Sequence, residues 1–132
     1  MKSEDIHTKA KWILKNRITK ELYFVTDTVV YWVDIFTRPK YKHILLESLR
    51  YCQKEKGFTI YAWALMSNHP HAIVSADKEI GVSDIWLDFK KFTSKKILAA
   101  LEYDTEESRR EWMLNRFGHA GGKGLLKVEV MK

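Results

Sequence analysis

Two strand-like segments, FTIYAWAL (58–65) and HPHAIVSA (69–76), lie only three residues apart and constrain the fold more than any other feature of the chain. Both are rich in β-branched and aromatic residues, and the MSN segment between them is typical of a turn. We therefore predict an antiparallel hairpin. Pro70 lies near the start of its strand, where a missing backbone N–H costs little.

Helical patterns flank this hairpin on both sides. Thr37 or Arg38 can open the first helix, with Pro39 in its first turn, and Gly57 is a natural stop. Its predicted buried stripe is Tyr41, Leu45, Leu49 and Cys52. Ser83 is the predicted N-cap of a second helix over 84–102. The predicted buried side of that helix is Ile85, Phe89, Phe92, Ile97 and Ala100, and Lys91 and Lys95 fall opposite, with Asp84 and Asp88.

The remaining segments complete the pattern. Residues 21–36 are predicted to form a strand, interrupted near Asp27, and residues 106–117 are predicted to be helical. Leu126, Val128 and Val130 alternate as in a short strand. The order strand, helix, strand, strand, helix predicts an α+β ferredoxin-like sandwich, with helices packed on one face of an antiparallel sheet.

Length and composition limit the class of protein. The 132 residues suit one domain, predicted to span 1–132 with a basic N-terminal arm over 1–20 and an atypical, shortened tail over 118–132. A net charge of +6 favours an anionic partner such as nucleic acid, although solubility alone would also explain it. The single cysteine, Cys52, excludes an internal disulfide and is predicted to be core. No stretch predicts a membrane span or a signal peptide, so we expect a cytoplasmic protein.

The hairpin carries two histidines, His69 and His71, that are the main candidates for chemistry. Alternate residues of a strand share a face, so both imidazoles are predicted to project from the open face of the sheet. Two neutral imidazoles at this spacing can chelate one divalent ion. They can equally be unrelated polar residues on a solvent face, because a His-x-His spacing is common by chance. No further ligand set has the spacing of a closed structural site, so a metal here would be openly coordinated.

The wider sequence resembles a known family. The segments YFVTDTVVYWVDIFTR, YAWALMSNHPHAIVS and IWLDFKKFTSKKILAAL resemble the REP-associated tyrosine transposases. These are bacterial mobile-element proteins related to the small insertion-sequence transposases, with an HUH motif (His, hydrophobic, His) and one catalytic tyrosine. The resemblance runs from about Tyr23 to Phe117, and Pro70 occupies the hydrophobic position, where a bulkier residue is more usual.

The resemblance implies a ferredoxin-like enzyme, usually a homodimer, that cuts and rejoins single-stranded, hairpin-forming DNA during transposition. It implies His69 and His71 as ligands of Mg²⁺ or Mn²⁺ at the scissile phosphate. It also implies a tyrosine on a later helix that forms a 5′-phosphotyrosine intermediate and leaves a 3′-OH. The metal is needed because a tyrosine with its ordinary pKa near 10 is a poor nucleophile at neutral pH.

The chain departs from this pattern at the nucleophile. After His71 it has one tyrosine, Tyr103, and no glutamine, although many relatives place a glutamine one helical turn beyond the nucleophile. Tyr103 lies among acidic residues near a helix end, where it can equally be a packing aromatic. A loss of sequence between about His119 and Gly122, or a divergent short copy, would explain the missing segment.

The basic residues after the motif, and two tryptophans, each have two interpretations. The basic side chains can contact DNA phosphates. They can equally form salt bridges on the helix surface, for example Asp88 with Lys91 and Glu106 with Arg110. The predicted DNA-binding residues are Lys90, Lys91, Lys95, Lys96, Arg109 and Arg110, with Arg116 in the same segment. Trp63 and Trp86 can stack on unpaired bases or pack in the core.

Three hypotheses remain open from the sequence. The first is a metal-dependent enzyme that cleaves and rejoins single-stranded DNA. The second is a shortened, inactive transposase that binds structured DNA without cutting it. The third is a plain α/β domain with an incidental histidine pair.

Overall fold

The structure is a computed structural model that describes residues 21–77, 81–119 and 125–131. The predicted N-terminal arm and most of the segment in which we place the sequence loss lie outside these residues. None of the described helices is both long and apolar enough to cross a membrane.

Four strands and three α-helices make up the described part of the chain. The elements are β1 (Tyr23–Val29), α1 (Pro39–Glu55), β2 (Phe58–Leu65), β3 (Pro70–Ala76), α2 (Val82–Glu102), α3 (Arg110–His119) and β4 (Leu126–Met131). The strand order is β2-β3-β1-β4, and every described pairing is antiparallel. This order, with one helix after β1 and another after β3, confirms the predicted ferredoxin-like sandwich.

Strand alternation divides the sheet into a covered and an open face. Val25 and Val29 of β1 and Ala72 and Val74 of β3 are buried and face the helices. The alternate residues of each strand, including Thr26 and His71, point to the open face, as the period of two requires. The predicted hairpin is confirmed, although β3 begins at Pro70 and leaves His69 just before the strand.

The helices follow their apolar periodicity with two corrections. Pro39 opens α1, and its predicted stripe is buried, including Cys52, whose burial raises the pKa of the thiol to about 11. Gly57 after α1 has φ 64°, which glycine adopts without penalty. Ser83 is not the N-cap of α2, because the helix already begins at Val82 and is preceded by Gly81. Phe92 is half-exposed, since Thr93 and Ser94 take the buried positions beside it.

The predicted strand over 21–36 is wrong in its second half. β1 runs without interruption through Asp27 and ends at Val29, and two short 3-10 turns follow, Val30–Trp32 and Ile35–Thr37. Tyr31 and Trp32 both have φ of 57°. For residues with large side chains this left-handed conformation costs about 1 to 2 kcal/mol each. It therefore needs tertiary contacts, which the loop before β3 supplies.

Asp27 lies on the covered face of β1 and is fully buried. Among the described residues, neither of its carboxylate oxygens has a hydrogen-bond partner, and the indole Nε1 of Trp86 is also unpaired. Burial raises the pKa of Asp27 to about 8, and the nearby Trp86 indole and Lys90 ammonium offset this rise only in part. The sheet thus carries a carboxyl group that is mainly protonated at neutral pH.

The last helix is shorter than predicted at its start. Residues before Arg110 form turns instead, because the Glu107 side chain is buried and forms ion pairs with two arginines. Arg38 Nε lies 3.1 Å from Glu107 Oε2, and Arg109 Nε lies 2.9 Å from Glu107 Oε1. Hydrogen bonds from Arg109 are the main cause that lowers the pKa of Glu107 to about 2, against the opposing effect of burial. The tail beyond the glycine-rich segment pairs with β1 as β4, in line with its alternating pattern.

Candidate metal and nucleic-acid site

His71 lies on the open face at the centre of the sheet. Its Nδ1 is 3.0 Å from Oγ1 of Thr26, its cross-strand partner in β1. Its ring stacks on Phe24 with 5.5 Å between ring centroids. Burial is the main cause that lowers the pKa of His71, and the neighbouring His69 lowers it further. The ring is thus oriented by two neighbours and favoured in the neutral form that binds metal.

His69 lies edge-on to His71, with 4.5 Å between the ring centroids. Its Nδ1 is 2.5 Å from the side-chain oxygen of Asn68. Because an amide oxygen only accepts, the proton of a neutral His69 belongs on Nδ1, and Nε2 keeps its lone pair. The amide orientation has an independent support, since Asn68 Nδ2 donates to the carbonyl of Trp32 at 3.3 Å.

The loop that carries Asn68 is held against the segment after β1. The backbone N–H of Val29 donates to the carbonyl of Asn68, and that of Phe36 donates to the carbonyl of Ser67, both at 2.9 Å. Ser67 Oγ also donates to Asp34 Oδ1 at 2.9 Å. These bonds fix the approach to β3, so His69 projects beside His71 although it lies outside the strand.

The donor set fits a divalent ion with open coordination positions. Each imidazole has Nδ1 within hydrogen-bond distance of a neighbour and Nε2 uncommitted to any described residue. In the His71 tautomer in which the Thr26 hydroxyl accepts the Nδ1 proton, both rings are held as metal-binding histidines usually are. Across residues 21–77, 81–119 and 125–131, no group of three or more His, Cys, Asp or Glu side chains could hold a metal. Two protein ligands leave room for water and phosphate oxygens.

Tyr103 follows α2 directly and is 80% exposed. Within the described chain, no hydrogen bond or ring contact joins its side chain to the histidine pair or to any other group. The structure therefore does not bring the predicted nucleophile and the predicted ligands together by direct contact. The other tyrosines of the described ranges precede the motif, and Tyr41 in particular donates to Asp104 at 2.8 Å from inside the core.

The lysines of α2 are largely accessible. Lys91, Lys95 and Lys96 are exposed, and Lys90 is half-buried at the edge of the sheet. The predicted pair between Asp88 and Lys91 does not form, because Asp88 pairs instead with Lys56 of α1 at 3.0 Å. None of the four lysines has an ion pair within the described residues, so these cations are available to phosphates.

The two arginines of the predicted set are in a different position. Arg109 is bound to Glu107 and also donates to the carbonyl of Asp34 at 3.2 Å. Arg110 donates through Nε and Nη2 to the carbonyl of Glu102, not to Glu106 as the sequence suggested. Both side chains hold the turn before α3 in place. Their role in DNA binding stays a prediction.

The exposed aromatics also differ from expectation. Trp86 is fully buried and stacks on Phe89, whereas Trp63 is half-exposed on β2. The sequence reading missed Thr26, Asn68, Tyr31 and Trp32 as neighbours of the site. Asn68 stands inside the histidine motif and could have been found there, but Thr26 depends on the register between β1 and β3.

Comparisons with known proteins identify the family and the fold. A family model described as "Transposase IS200 like" matches residues 8–117, most of the chain. The chain therefore belongs to the IS200-like transposase family, as the sequence resemblance indicated. Among curated proteins, none matches.

Two solved structures share the fold. One is a candidate transposase from Deinococcus radiodurans R1, with 16% identity and a TM-score of 0.62 over all of this chain and 85% of that one. The other is a REP-associated tyrosine transposase bound to a REP hairpin, with 15% identity and a TM-score of 0.51 over 84% of this chain. The match spans only 56% of the second protein's length.

Proposed function

We propose that this chain acts in DNA transposition by metal-dependent cleavage and rejoining of single-stranded, hairpin-forming DNA. The observation that carries the proposal is the histidine pair, in which Asn68 or Thr26 engages each Nδ1 and no described residue engages either Nε2. Membership of the transposase family and the hairpin-bound relative support the nucleic-acid partner. The exposed lysines of α2 add the positive charge that phosphates require.

His69 and His71 would hold the metal through Nε2, and Asn68 and Thr26 would keep both rings in their ligating orientation. When bound, Mg²⁺ or Mn²⁺ supplies Lewis-acid polarisation of a phosphate oxygen. Phe24, stacked on His71, restricts the ring further. The open coordination positions leave space for the scissile phosphate.

The nucleophile in this proposal is Tyr103, the one tyrosine after the histidine motif. Its phenolic oxygen would attack phosphorus, the bond to the 3′ oxygen would break, and a 3′-OH and a 5′-phosphotyrosine would result. Tyr103 has no described contact with the pair, so its approach requires DNA binding to bring the two together.

A second candidate function is binding without cleavage. The isolation of Tyr103 favours it, because a shortened family member can keep the metal and DNA site and lack the attacking group. The homodimer implied by the resemblance stays a prediction under either candidate, and sedimentation of the free chain tests it.

One experiment separates the candidates. A labelled DNA hairpin with a single-stranded flank is incubated with the chain and Mn²⁺, then run on native and denaturing gels. The first candidate predicts a covalent adduct that is lost in both His71→Ala and Tyr103→Phe. The second predicts a salt-sensitive shift without an adduct. Absence of any shift at low salt would contradict both.

A further inference from the structure

The turn after β1, which is hydrogen-bonded to the loop that carries Asn68, exposes an aromatic cluster. Tyr31 and Trp32 are 53% and 69% exposed, and Trp112 of α3 is 50% exposed. The guanidinium carbon of Arg116 lies 5.8 Å from the ring centroids of both Tyr31 and Trp112. We call Tyr31, Trp32 and Trp112 the aromatic platform.

The backbone under the platform is strained. Two successive bulky residues with φ of 57° are rare, and such strain persists only where the surroundings enforce it and tends to occur at functional sites. Neither ring is buried, so packing in the core does not explain the conformation. The conformation presents two large aromatic side chains to solvent at the end of a strand.

The platform adjoins the proposed metal site through one residue. The carbonyl of Trp32 accepts the side-chain N–H of Asn68, whose oxygen engages His69. The backbone of the platform and the ring of His69 are thus held by the same side chain, Asn68.

A cavity of about 820 Å³ opens next to the platform. Tyr31 and Trp32 form part of its wall, and Lys90 and Lys127 contribute cations, with Glu129 as a carboxylate on the same wall. Arg116 adds another positive charge nearby and forms no ion pair in the part of the chain that the structure describes. Aromatic rings together with cations suit a ligand that is itself aromatic and anionic.

We propose that the aromatic platform stacks unpaired bases of single-stranded DNA next to the phosphate site, with Arg116 contacting the backbone. The proposal builds on the proposed function, since it names where the strand beside the hairpin lies. It does not depend on metal or on a nucleophile, because stacking uses only the faces of the bases.

The test measures binding of a fluorescently labelled, unstructured oligonucleotide in EDTA. Trp32→Gly is the main variant, because glycine accepts the positive φ without strain and the fold should be at least as stable. We expect binding to weaken about fivefold or more, the loss typical of one stacked base. Tyr31→Phe keeps the ring and should bind like the unmodified chain.

Tyr51→Ala is the matched control. Tyr51 is also 53% exposed, but it lies on α1 and stacks on Phe92, on the covered side of the sheet. Tyr51 lines the same cavity as Lys91 and Lys95 but carries no charge, so its loss should weaken binding much less than the loss of Trp32. A duplex of the same sequence has no unpaired bases, so Trp32→Gly should not weaken its binding.

Three results would contradict the proposal that the aromatic platform stacks unpaired bases. They are equal losses in Trp32→Gly and Tyr51→Ala, an equal loss on duplex and single strand, or no single-strand binding by the unmodified chain in EDTA. This assay omits metal, so its outcome is separate from the test of the proposed function. The predicted loss in Trp32→Gly, found together with no Mn²⁺-dependent adduct or shift, would count against the proposed function but would still support the aromatic platform.

Discussion

Thr26 and Asp27 are consecutive in β1, yet their side chains meet opposite environments. Thr26 lies on the open face and shares a hydrogen bond with His71. Asp27 lies on the covered face, fully buried and without a hydrogen-bond partner in the described part of the chain. The open face thus carries polar groups for binding at little cost in stability, whereas the buried carboxyl group on the covered face lowers the free energy of unfolding.

The largest expected effect concerns Asp27 on the covered face. Burial raises its pKa to about 8, so the folded chain keeps a proton that the unfolded chain, with the ordinary value of 3.8, has lost. The contribution of the protonated Asp27 to the free energy of unfolding is complete below about pH 4. It declines by about 1.4 kcal/mol per pH unit as the pH rises towards 8. We expect Asp27→Asn to remove this slope and raise the free energy of unfolding at pH 7 by about 3 to 4 kcal/mol.

Urea unfolding of both chains between pH 5 and pH 9 measures this difference. DNA binding at pH 7 should be unchanged in Asp27→Asn, because the carboxyl group does not face the histidine pair. Parallel pH profiles for the two chains would show that Asp27 is ionised in the folded state, which would contradict the raised pKa.

A second prediction concerns Glu107, a buried carboxylate that does have partners. Hydrogen bonds from Arg109 lower its pKa to about 2, so its contribution is present above about pH 4.5 and is lost as the pH falls through 2. Glu107→Gln is expected to cost about 3 kcal/mol at pH 7, because Arg38 and Arg109 lose their charged partner.

Thermal unfolding at pH 7 and pH 3 tests this prediction. The difference between the variant and the unmodified chain should shrink at the lower pH. Glu106→Gln is the control, since Glu106 is exposed and has no ion pair within the described ranges. If both substitutions cost the same, the network around Glu107 would not stabilise the turn before α3.

The third and smallest expected effect is on the open face. Thr26→Val keeps the shape of the side chain and removes the hydroxyl that orients His71. We expect roughly tenfold weaker Mn²⁺ binding, the loss typical of removing a group that orients a metal ligand. Calorimetric titration measures it, and Thr28→Val, one pleat further along the same face, is the control. An unchanged affinity in Thr26→Val would mean that the hydroxyl does not support the ring.

Sequence periodicity predicted the parts of the fold that depend on local pattern. The hairpin, both long helices and the open face for the histidines follow from alternation and helical spacing, since each element buries one side. The pattern failed at Tyr31 and Trp32, where a strand-like composition ends in two left-handed residues. That conformation depends on hydrogen bonds from a loop more than thirty residues away, which no local pattern encodes.

In the candidate site, too, some features follow from local sequence and others depend on tertiary structure. His69 and His71 are visible as a motif, but the groups that orient them depend on tertiary structure. Thr26 reaches His71 only because β1 pairs with β3 in this register, and Asn68 is oriented by the carbonyl of Trp32. Phe92 was placed in the core by its spacing, yet neighbouring polar residues occupy that side of α2 and leave the ring half-exposed.

The central claim is that His69 and His71 together hold a divalent ion, and Mn²⁺ binding followed by electron paramagnetic resonance tests it most directly. The chain should bind one Mn²⁺, more tightly when a phosphate-bearing single strand is present. His69→Ala and His71→Ala should each weaken binding by more than the roughly ten- to hundredfold expected for an orienting group. His43→Ala, an exposed histidine of α1, should have no effect. Undiminished Mn²⁺ binding after removal of both His69 and His71 would contradict the account.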